Sequence, residues 1–349
     1  MDYKQICKDI GDNEDDMYKL WMENYQNRSL MQLTIPGAHN AGMGKISTCS
    51  DYATSGITKT QNKSFSKMLN TGVRYFDVRP IIKKNGDLYL GHFSWVGKSQ
   101  KVLLHTFKLM NEGCYGYSVD EMLNDISKFI SNSAGEIIIL NFSHYMNFKT
   151  HDTSSSHFDK SDFIHLKNKI IHKLGPYLIK NYTNKKLLTT KLSLLTRGKS
   201  RVIIFFEAAN DMPQRFANSA EGFYLKPGNI YDTYSNTDNF KKMKNDQFAK
   251  FKKHKNDSVY FILSWIKTMQ ADNTKNFLFC YFGVNINSQI DELSARCIPL
   301  EEMATEPLRK LDDIFQLYTE NHKIPNVIYT DFTTTAVTDT AIRINNNAH

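Results

Sequence analysis

The sequence contains two uninterrupted apolar stretches, EIIILNF at residues 136–142 and RVIIFF at residues 201–206. Neither stretch alternates between polar and apolar residues, as a strand with one solvent-exposed face would. Such runs are typical of strands buried on both faces, which occur in parallel sheets covered by helices. The two stretches therefore favour an α/β fold in which other segments supply the covering helices.

Similar short apolar segments recur along the chain and alternate with helical patterns. Further strands are predicted at residues 31–36, 73–80, 88–92, 259–265, 277–282 and 326–332. Helices are predicted at residues 64–70, 118–130, 161–174 and 301–320, the second of them opened by a capping box at Ser118-Val-Asp-Glu121. About eight strands in this pattern fit a TIM (β/α)8 barrel, and a doubly wound open sheet is the alternative.

We expect one domain over the whole chain of 349 residues, which is long enough to bury a large core. Its first 30 residues predict a helical lead-in, with Trp21 and Met22 as packing anchors. Residues 335–349 are expected to form a polar C-terminal tail.

The charge balance is basic, because 44 Lys and Arg residues outnumber 36 Asp and Glu residues and give a formal charge of +8. A basic balance favours anionic partners such as nucleic acid, phosphorylated molecules or an acidic membrane surface. No nucleic-acid-binding motif is present, so we expect no nucleic acid partner. The basic stretch 241–255 contains Phe248 and Phe251, and it fits a membrane-surface helix or a solvated helix face.

The sequence shows neither an apolar run of about 18 residues nor the apolar core of a signal peptide near its N-terminus. We therefore expect a cytoplasmic protein, or one secreted without a classical signal peptide, that binds membranes peripherally. The five cysteines are scattered, and their odd number favours a reducing compartment. We expect the protein to be a monomer.

Polar residues follow several of the predicted strands, where a barrel would bring them to one rim. Two histidines at such positions suit a general base and a general acid, because the imidazole pKa lies near neutrality. An arginine between them would stabilise phosphoryl oxygens, and a carboxylate would hold the tautomer of the base. The pattern predicts phosphoryl transfer, and its candidate residues are His39, His92, Arg79, Asp77 and Asp331.

Three segments, LTIPGAHNAGM (33–43), GVRYFDVRP (72–80) and LYLGHFSW (88–95), resemble the X-domain of phosphatidylinositol-specific phospholipase C. The resemblance is to the bacterial type and to X-domain-containing single-domain proteins. It is clear over residues 21–145 and weaker beyond them. It implies a distorted TIM barrel of the phospholipase C-like phosphodiesterase type, which releases diacylglycerol and an inositol phosphate.

The resemblance also implies a role for each candidate residue. His39 corresponds to the general base that acts on the inositol 2-hydroxyl, and His92 to the general acid for the diacylglycerol oxygen. Arg79 corresponds to the arginine that replaces calcium in the metal-independent members. Asp331 corresponds to the carboxylate partner of His39, and Asp77 belongs to the same network.

The substrate-binding positions implied by the resemblance depart from the family pattern. Asp232 and Tyr234 fall where the family contacts the inositol ring. The basic residues expected after two of the strands are replaced by Ser143 or His144 and by Glu207.

We also expect Asn40 to contact the substrate, although calcium-dependent members of the family have a metal ligand at this position. The guanidinium of Arg79 would repel a divalent cation beside Asn40. We therefore expect no metal and no other cofactor, with a calcium-dependent enzyme as the minority alternative.

Together these features predict a phosphodiesterase that acts on phosphatidylinositol, or on its glycosylated form, at a membrane surface. One alternative is the same chemistry on another glycerophospholipid. The other is a catalytically inactive lipid-binding barrel.

Overall fold

A computed structural model of the chain describes residues 18–50, 53–96, 101–102, 105–106, 110–149, 157–254, 258–270 and 298–348. The strands, numbered in chain order, are β1 Ile35–Ala38, β2 Thr48–Cys49, β3 Tyr75–Val78, β4 Pro80–Ile82, β5 Leu88–Val96, β6 Lys101–Val102, β7 His105–Thr106, β8 Met110–Ser118, β9 Ile137–Phe142, β10 Met146–Asn147, β11 Arg201–Phe206, β12 Phe223–Leu225, β13 Ile230–Asp232, β14 Tyr260–Ser264 and β15 Val327–Thr330. The α-helices are α1 Ser55–Thr58, α2 Phe65–Asn70, α3 Val119–Ser131, α4 Lys160–Leu174, α5 Asn184–Thr189, α6 Leu192–Thr196, α7 Phe240–Lys253, α8 Leu300–Arg309, α9 Asp312–Asn321 and α10 Thr335–Asn347. Short 3₁₀ helices lie at Trp21–Tyr25, Leu30–Gln32, Ala41–Gly44 and Gly175–Tyr177.

Eight strands form one curved sheet in the order β12-β11-β9-β3-β1-β15-β14-β13, and each neighbouring pair is parallel. The two apolar stretches became β9 and β11, which pair along their whole length. Side chains of helices α3 and α4 pack against one face of these strands. Among the described residues no ladder joins β12 to β13, so the predicted barrel is present in a distorted, open form.

The predicted strand at 88–92 is not part of the barrel, which corrects the expected position of His92. It belongs to β5 in a second, five-stranded sheet of order β10-β4-β5-β8-β2. The chain passes from β3 into β4 and turns at Gly86, whose φ of +89° suits a glycine, so that β5 returns antiparallel to β4. His92 therefore reaches the rim from the middle of a hairpin strand.

Two barrel strands, β12 and β13, were not predicted from the sequence. Each has three residues, which is too short for a hydrophobic pattern to be distinguished from a loop. The predicted helix at 301–320 is divided into α8 and α9. The predicted strand at 277–282 lies outside the described residues.

The two ends of the chain pack against each other. In the lead-in, Trp21 and Met22 are buried as predicted, while residues 1–17 lie outside the described part. The expected C-terminal tail is wrong, because α10 buries a face at helical spacing and packs on β1. The Arg28 guanidinium donates to the Asn345 carbonyl at 2.7 Å and so joins the lead-in to α10.

The basic stretch forms helix α7, but its aromatic side chains do not face a lipid interface. Phe251 is fully buried, and Phe248 stacks on Trp265 with ring centroids 5.8 Å apart. The apolar anchors expected of a membrane-surface helix therefore belong to the core, and lysines remain on the outer face. Within the described residues, no helix is long and apolar enough to cross a bilayer.

Cys49 on β2 and Cys114 on β8 form a disulfide bond, which the scattered cysteines did not predict. In the antiparallel ladder, Cys114 lies opposite His92 of β5. Disulfides persist in oxidising environments, so this bond gives no support to the expected reducing compartment.

A fully buried ion pair joins the amino ends of β3 and β9. The Arg74 Nε atom donates to Glu136 Oε2 at 2.6 Å, and neither side chain is exposed. Arg74 also donates to the Lys19 carbonyl at 2.6 Å, and Glu136 accepts from the Met22 amide at 3.0 Å. The pair thus fixes the lead-in to the barrel, on the side away from the polar strand ends.

Replacing Glu136 with Gln should lower the free energy of unfolding by about 3–5 kcal/mol, because the Arg74 guanidinium would stay buried without its counter-charge. The exposed pair Arg343–Asp312 offers the matched control, since the Asp312 side chain is 91% exposed. Asp312→Asn should cost less than about 1 kcal/mol. Urea unfolding of the three proteins at pH 7 measures this difference, and equal stability of the two variants would contradict the prediction.

Candidate active site

The carboxyl ends of β15, β1 and β3 bring three of the predicted residues together. His39 directly follows β1, Asp331 directly follows β15, and Asp77 lies within β3. The three strands are neighbours in parallel register, so their carboxyl ends lie at one edge of the sheet. The His39 amide donates to the Thr330 carbonyl at 3.0 Å and continues the ladder to the histidine itself.

The hydrogen bonds of His39 determine which of its ring nitrogens carries the proton. Its Nε2 atom lies 2.8 Å from Arg79 Nη2, and its Nδ1 atom lies 2.7 Å from Asp331 Oδ1. A guanidinium can only donate, so Nε2 accepts and Nδ1 donates its proton to the carboxylate. His39 is thereby held as a neutral imidazole whose basic nitrogen faces the guanidinium.

The Asp77 carboxylate accepts hydrogen bonds from four different groups. Its Oδ2 atom accepts from the Asn40 amide at 3.0 Å, from Arg79 Nε at 2.9 Å and from the Tyr329 hydroxyl at 2.8 Å. Its Oδ1 atom accepts from the Ser143 hydroxyl at 3.0 Å. Burial opposes ionisation, yet the charge of Arg79 and these donors hold the pKa of Asp77 well below its usual range.

Arg79 is fixed in the centre of this network. Burial disfavours its charge, but the Asp77 carboxylate outweighs burial and raises the pKa of Arg79 further. Its Nη2 atom also donates to the Tyr234 hydroxyl at 3.3 Å, and that hydroxyl lies 3.2 Å from the Tyr329 hydroxyl. A permanent cation is therefore oriented beside the basic nitrogen of His39.

His92 faces His39 across the rim, with ring centroids 6.3 Å apart. Its Nδ1 atom lies 2.9 Å from the Thr58 carbonyl, which can only accept, so Nδ1 carries the proton. Burial, together with the charge of Arg79, lowers the pKa of His92 to about 3. In the free protein His92 is thus neutral, with an unprotonated Nε2.

A second cluster of charges lies at the ends of β11, β12 and β13. The Lys226 ammonium donates to Glu207 Oε1 and to Asp232 Oδ2, both at 2.9 Å. Burial raises the pKa of Asp232, and its buried Oδ1 atom has no hydrogen-bond partner among the described residues. Lys226, which follows β12, therefore places a basic group beside the end of β11, where Glu207 stands.

The other expected substrate-binding residues differ in their exposure. Ser143 is buried and donates to Asp77, and His144 is exposed beside it with Nδ1 2.8 Å from the Ser143 hydroxyl. Asn40 is fully buried, and its side-chain amide has no hydrogen-bond partner in the described part of the chain. Ser143 and Asn40 thus lie beneath the rim, where the Ser143 hydroxyl and the Asn40 backbone amide donate to Asp77, whereas His144, Asp232 and Tyr234 are more exposed.

Sequence reasoning missed three contributors, namely Tyr329, Lys226 and the Thr58 carbonyl. Tyr329 lies on β15 two residues before Asp331, and this spacing places both at the same side of a strand, which is the signal that could have found it. Lys226 follows a strand too short to recognise. A backbone carbonyl carries no sequence signal at all.

Three comparisons with known proteins bear on this site. No protein-family profile matches the chain. A PI-PLC X-box domain-containing protein of Dictyostelium discoideum is 30% identical over 143 residues, which are 36% of this chain and 17% of that protein. The match therefore spans less than a fifth of the length of this curated relative.

The solved structures of two bacterial enzymes match nearly the whole chain. Phosphatidylinositol-specific phospholipase C from Listeria monocytogenes covers 95% of this chain and 99% of its own, with a TM-score of 0.59 and 17% identity. The Staphylococcus aureus enzyme, in a pentafluoro-Phe form, covers 94% and 99%, with a TM-score of 0.57 and 15% identity. The chain thus has the fold of these enzymes and resembles the phosphatidylinositol-specific phospholipase C X-domain family in sequence.

In the free protein, His92 should titrate with a pKa of about 3, far below the ordinary histidine value. NMR spectra of the imidazole groups, assigned with a His92→Asn variant, should show no protonation of His92 between pH 8 and pH 5. Inorganic phosphate, used as an anionic probe, should raise this pKa because a nearby negative charge favours the imidazolium. A midpoint near the ordinary value of about 6.5 in the free protein would contradict the assigned geometry.

Proposed function

We propose that this chain, which resembles the phosphatidylinositol-specific phospholipase C X-domain family, cleaves phosphatidylinositol or its glycosylated form. The products would be diacylglycerol and an inositol phosphate, formed first as a cyclic phosphate. The proposal is supported above all by the surroundings of His39. Its Nδ1 atom donates to Asp331, its unprotonated Nε2 atom lies beside the Arg79 guanidinium, and its ring faces that of His92.

In the first step, His39 Nε2 takes the proton from the inositol 2-hydroxyl, and the resulting oxygen attacks phosphorus. Asp331 supports this proton transfer because its carboxylate stabilises the imidazolium that forms. A phosphate oxygen at the guanidinium would compete for the Arg79 Nη2 donor and so release Nε2 for catalysis. The attacking group belongs to the substrate itself, which favours reaction through proximity.

The leaving diacylglycerol oxygen receives its proton from His92 Nε2. His92 must first be protonated, and the negative charge of a bound phosphodiester opposes the burial that keeps it neutral. The Arg79 guanidinium stabilises the charge that develops on the phosphoryl oxygens. Water could then open the cyclic phosphate, with the two histidines in exchanged roles.

The chemistry is proposed to proceed without calcium. Both oxygens of Asp77 already accept hydrogen bonds, and the Arg79 Nε atom donates to Oδ2 at 2.9 Å. The positive charge of this guanidinium would repel a divalent cation beside Asn40. Among the described residues, no three His, Cys, Asp or Glu side chains form a cluster that could hold a metal ion.

The ring of the substrate is proposed to lie against Asp232, Tyr234 and Lys226. Carboxylate and ammonium groups together offer acceptors and donors to a hydroxylated ring, and the unpartnered Oδ1 of Asp232 is an acceptor available to it. A lipid substrate implies action at a membrane surface. The same chemistry on another glycerophospholipid remains the alternative function, because the cation at this position comes from an unexpected strand.

Release of water-soluble inositol phosphate from phosphatidylinositol vesicles, with a chelator present, tests the proposal. His39→Ala and His92→Ala should each lower kcat by about 10²–10⁴-fold, because each removes a proton-transfer group. Arg79→Lys should lower kcat by about 10²–10³-fold through loss of the fixed donor pair. The exposed His172 of α4 provides the matched control, and His172→Ala should leave the rate unchanged.

Three results would contradict this assignment. Turnover that needs added calcium would overturn metal independence. No turnover of phosphatidylinositol by the unaltered protein would favour another phospholipid as the substrate. A panel of vesicles, each made of a single phospholipid, would identify it. Vesicle binding without turnover on the whole panel, unaffected by His39→Ala, would indicate an inactive lipid-binding barrel.

Lys226→Met should raise the KM for phosphatidylinositol by about 10–100-fold and leave kcat within a few-fold, because it removes a charge-assisted contact and leaves two carboxylates unneutralised. The surface lysine Lys169, paired with Asp120, supplies the control variant Lys169→Met. Steady-state rates at several vesicle concentrations separate KM from kcat. An unchanged KM in Lys226→Met would exclude Lys226 from the head-group site.

A further inference from the structure

Residues 58–61, called the bridging segment below, contact the strand ends that carry His39 and Asp331. The Gln61 amide nitrogen donates to the His39 carbonyl at 2.9 Å and to the Thr330 carbonyl at 3.1 Å. Its amide oxygen accepts from the Thr333 backbone amide at 3.1 Å. Gln61 is fully buried. Its side chain therefore joins the end of β1, at His39, to the end of β15, at Thr330 and Thr333 on either side of Asp331.

Thr60 makes a second connection between the same two strand ends. Its hydroxyl donates to the Asn40 carbonyl at 2.9 Å, and its own carbonyl accepts from the Phe332 amide at 2.7 Å. Thr60 is also fully buried. The residues that directly follow His39 and Asp331 are therefore tied to one point of the bridging segment.

Thr58 connects the same segment to the other histidine. Its carbonyl lies 2.9 Å from His92 Nδ1 and accepts the hydrogen bond that the His92 ring donates. Because the carbonyl fixes the proton on Nδ1, it also leaves Nε2 directed at the rim. Three of the four residues of the bridging segment, Thr58, Thr60 and Gln61, thus contact His92 or the strand ends that carry His39 and Asp331.

The outer side of the bridging segment borders open space. Lys59 and Phe332, together with Ser55 and Gly56 of α1, line a cavity of about 390 Å³. Lys59 is the member of the bridging segment that lines this cavity, whereas Thr60 and Gln61 are fully buried beneath it.

We infer that Gln61 is a positioning residue, and that the bridging segment sets the separation of His39 and His92 and fixes the tautomer of His92. The inference rests on the proposed function as far as it concerns catalysis. Proton transfer depends on alignment within fractions of an ångström, and a displacement of about 1 Å can cost about 10²-fold in rate. A single amide that holds both strand ends therefore acts on the reaction without touching the substrate.

Gln61→Met tests the inference, because methionine keeps the length of the side chain and removes the amide. The variant should lose about 10–100-fold in kcat, with KM unchanged. Lys63→Met is the matched control, since Lys63 Nζ donates to the Thr333 carbonyl at 3.1 Å, two residues beyond Asp331. The control should stay within about threefold of the unaltered protein.

A readout without substrate distinguishes failure of this inference from failure of the proposed function. NMR of histidine-labelled protein should show both imidazoles protonated at Nδ1 in the unaltered chain. In Gln61→Met, the imidazole nitrogen shifts of His39 should change. This holds even if phosphatidylinositol proves not to be the substrate.

Thr60→Val provides a second variant of nearly unchanged shape in case Gln61→Met does not fold. It removes the hydroxyl that donates to the Asn40 carbonyl and should lower kcat by about 3–10-fold, with altered His39 shifts. Folded variants with unchanged kcat and unchanged imidazole spectra would overturn the inference. A lowered melting temperature with unchanged kcat and spectra would show that Gln61 is merely structural.

Discussion

The candidate site depends on the carboxylate of Asp77 and the four donors that surround it. These donors come from the chain after β1, from the chain after β3, from the chain after β9 and from β15. A buried charge is stable only when it is fully paired and hydrogen-bonded, so the four elements must close around it together. This arrangement fixes the position of Arg79 through its hydrogen bond to Asp77. Arg79 in turn donates to His39 Nε2 and so fixes the tautomer of the imidazole.

The two histidines of the candidate site have unequal surroundings. His39 accepts from a guanidinium and donates to a carboxylate, which gives it a basic nitrogen and a partner for the imidazolium. His92 has a carbonyl as its partner and is kept neutral by burial and by the charge of Arg79. Pairs of titratable groups held in different environments are the usual basis for separate base and acid roles.

Strand β3 carries a buried ion pair at each end. At its amino end Arg74 pairs with Glu136 and fixes the lead-in, and at its carboxyl end Asp77 pairs with Arg79 and organises the rim. The first pair contributes to stability and leaves the site side untouched. The second pair orients the Arg79 guanidinium, but its buried charges are stable only when the folded chain supplies all of their hydrogen-bond partners. One strand thereby connects the stabilising ion pair at one end of the barrel with the candidate site at the other.

The sequence by itself indicated the longer apolar strands and the helix capped by Ser118. It also indicated the five polar residues that the structure brings to one rim, namely His39, Asp77, Arg79, His92 and Asp331. Their signals are local, because a run of apolar residues, a capping box and a polar residue at a strand end are each visible within a few positions. Only the tertiary structure decided that His92 arrives on a hairpin and that Lys226 joins Glu207 and Asp232. It also decided that the C-terminal segment is a packed helix. Some of these features join residues that are far apart in the chain, and others depend on short strands or on backbone carbonyls. No local sequence pattern encodes which distant groups the folded sheet brings within hydrogen-bond distance.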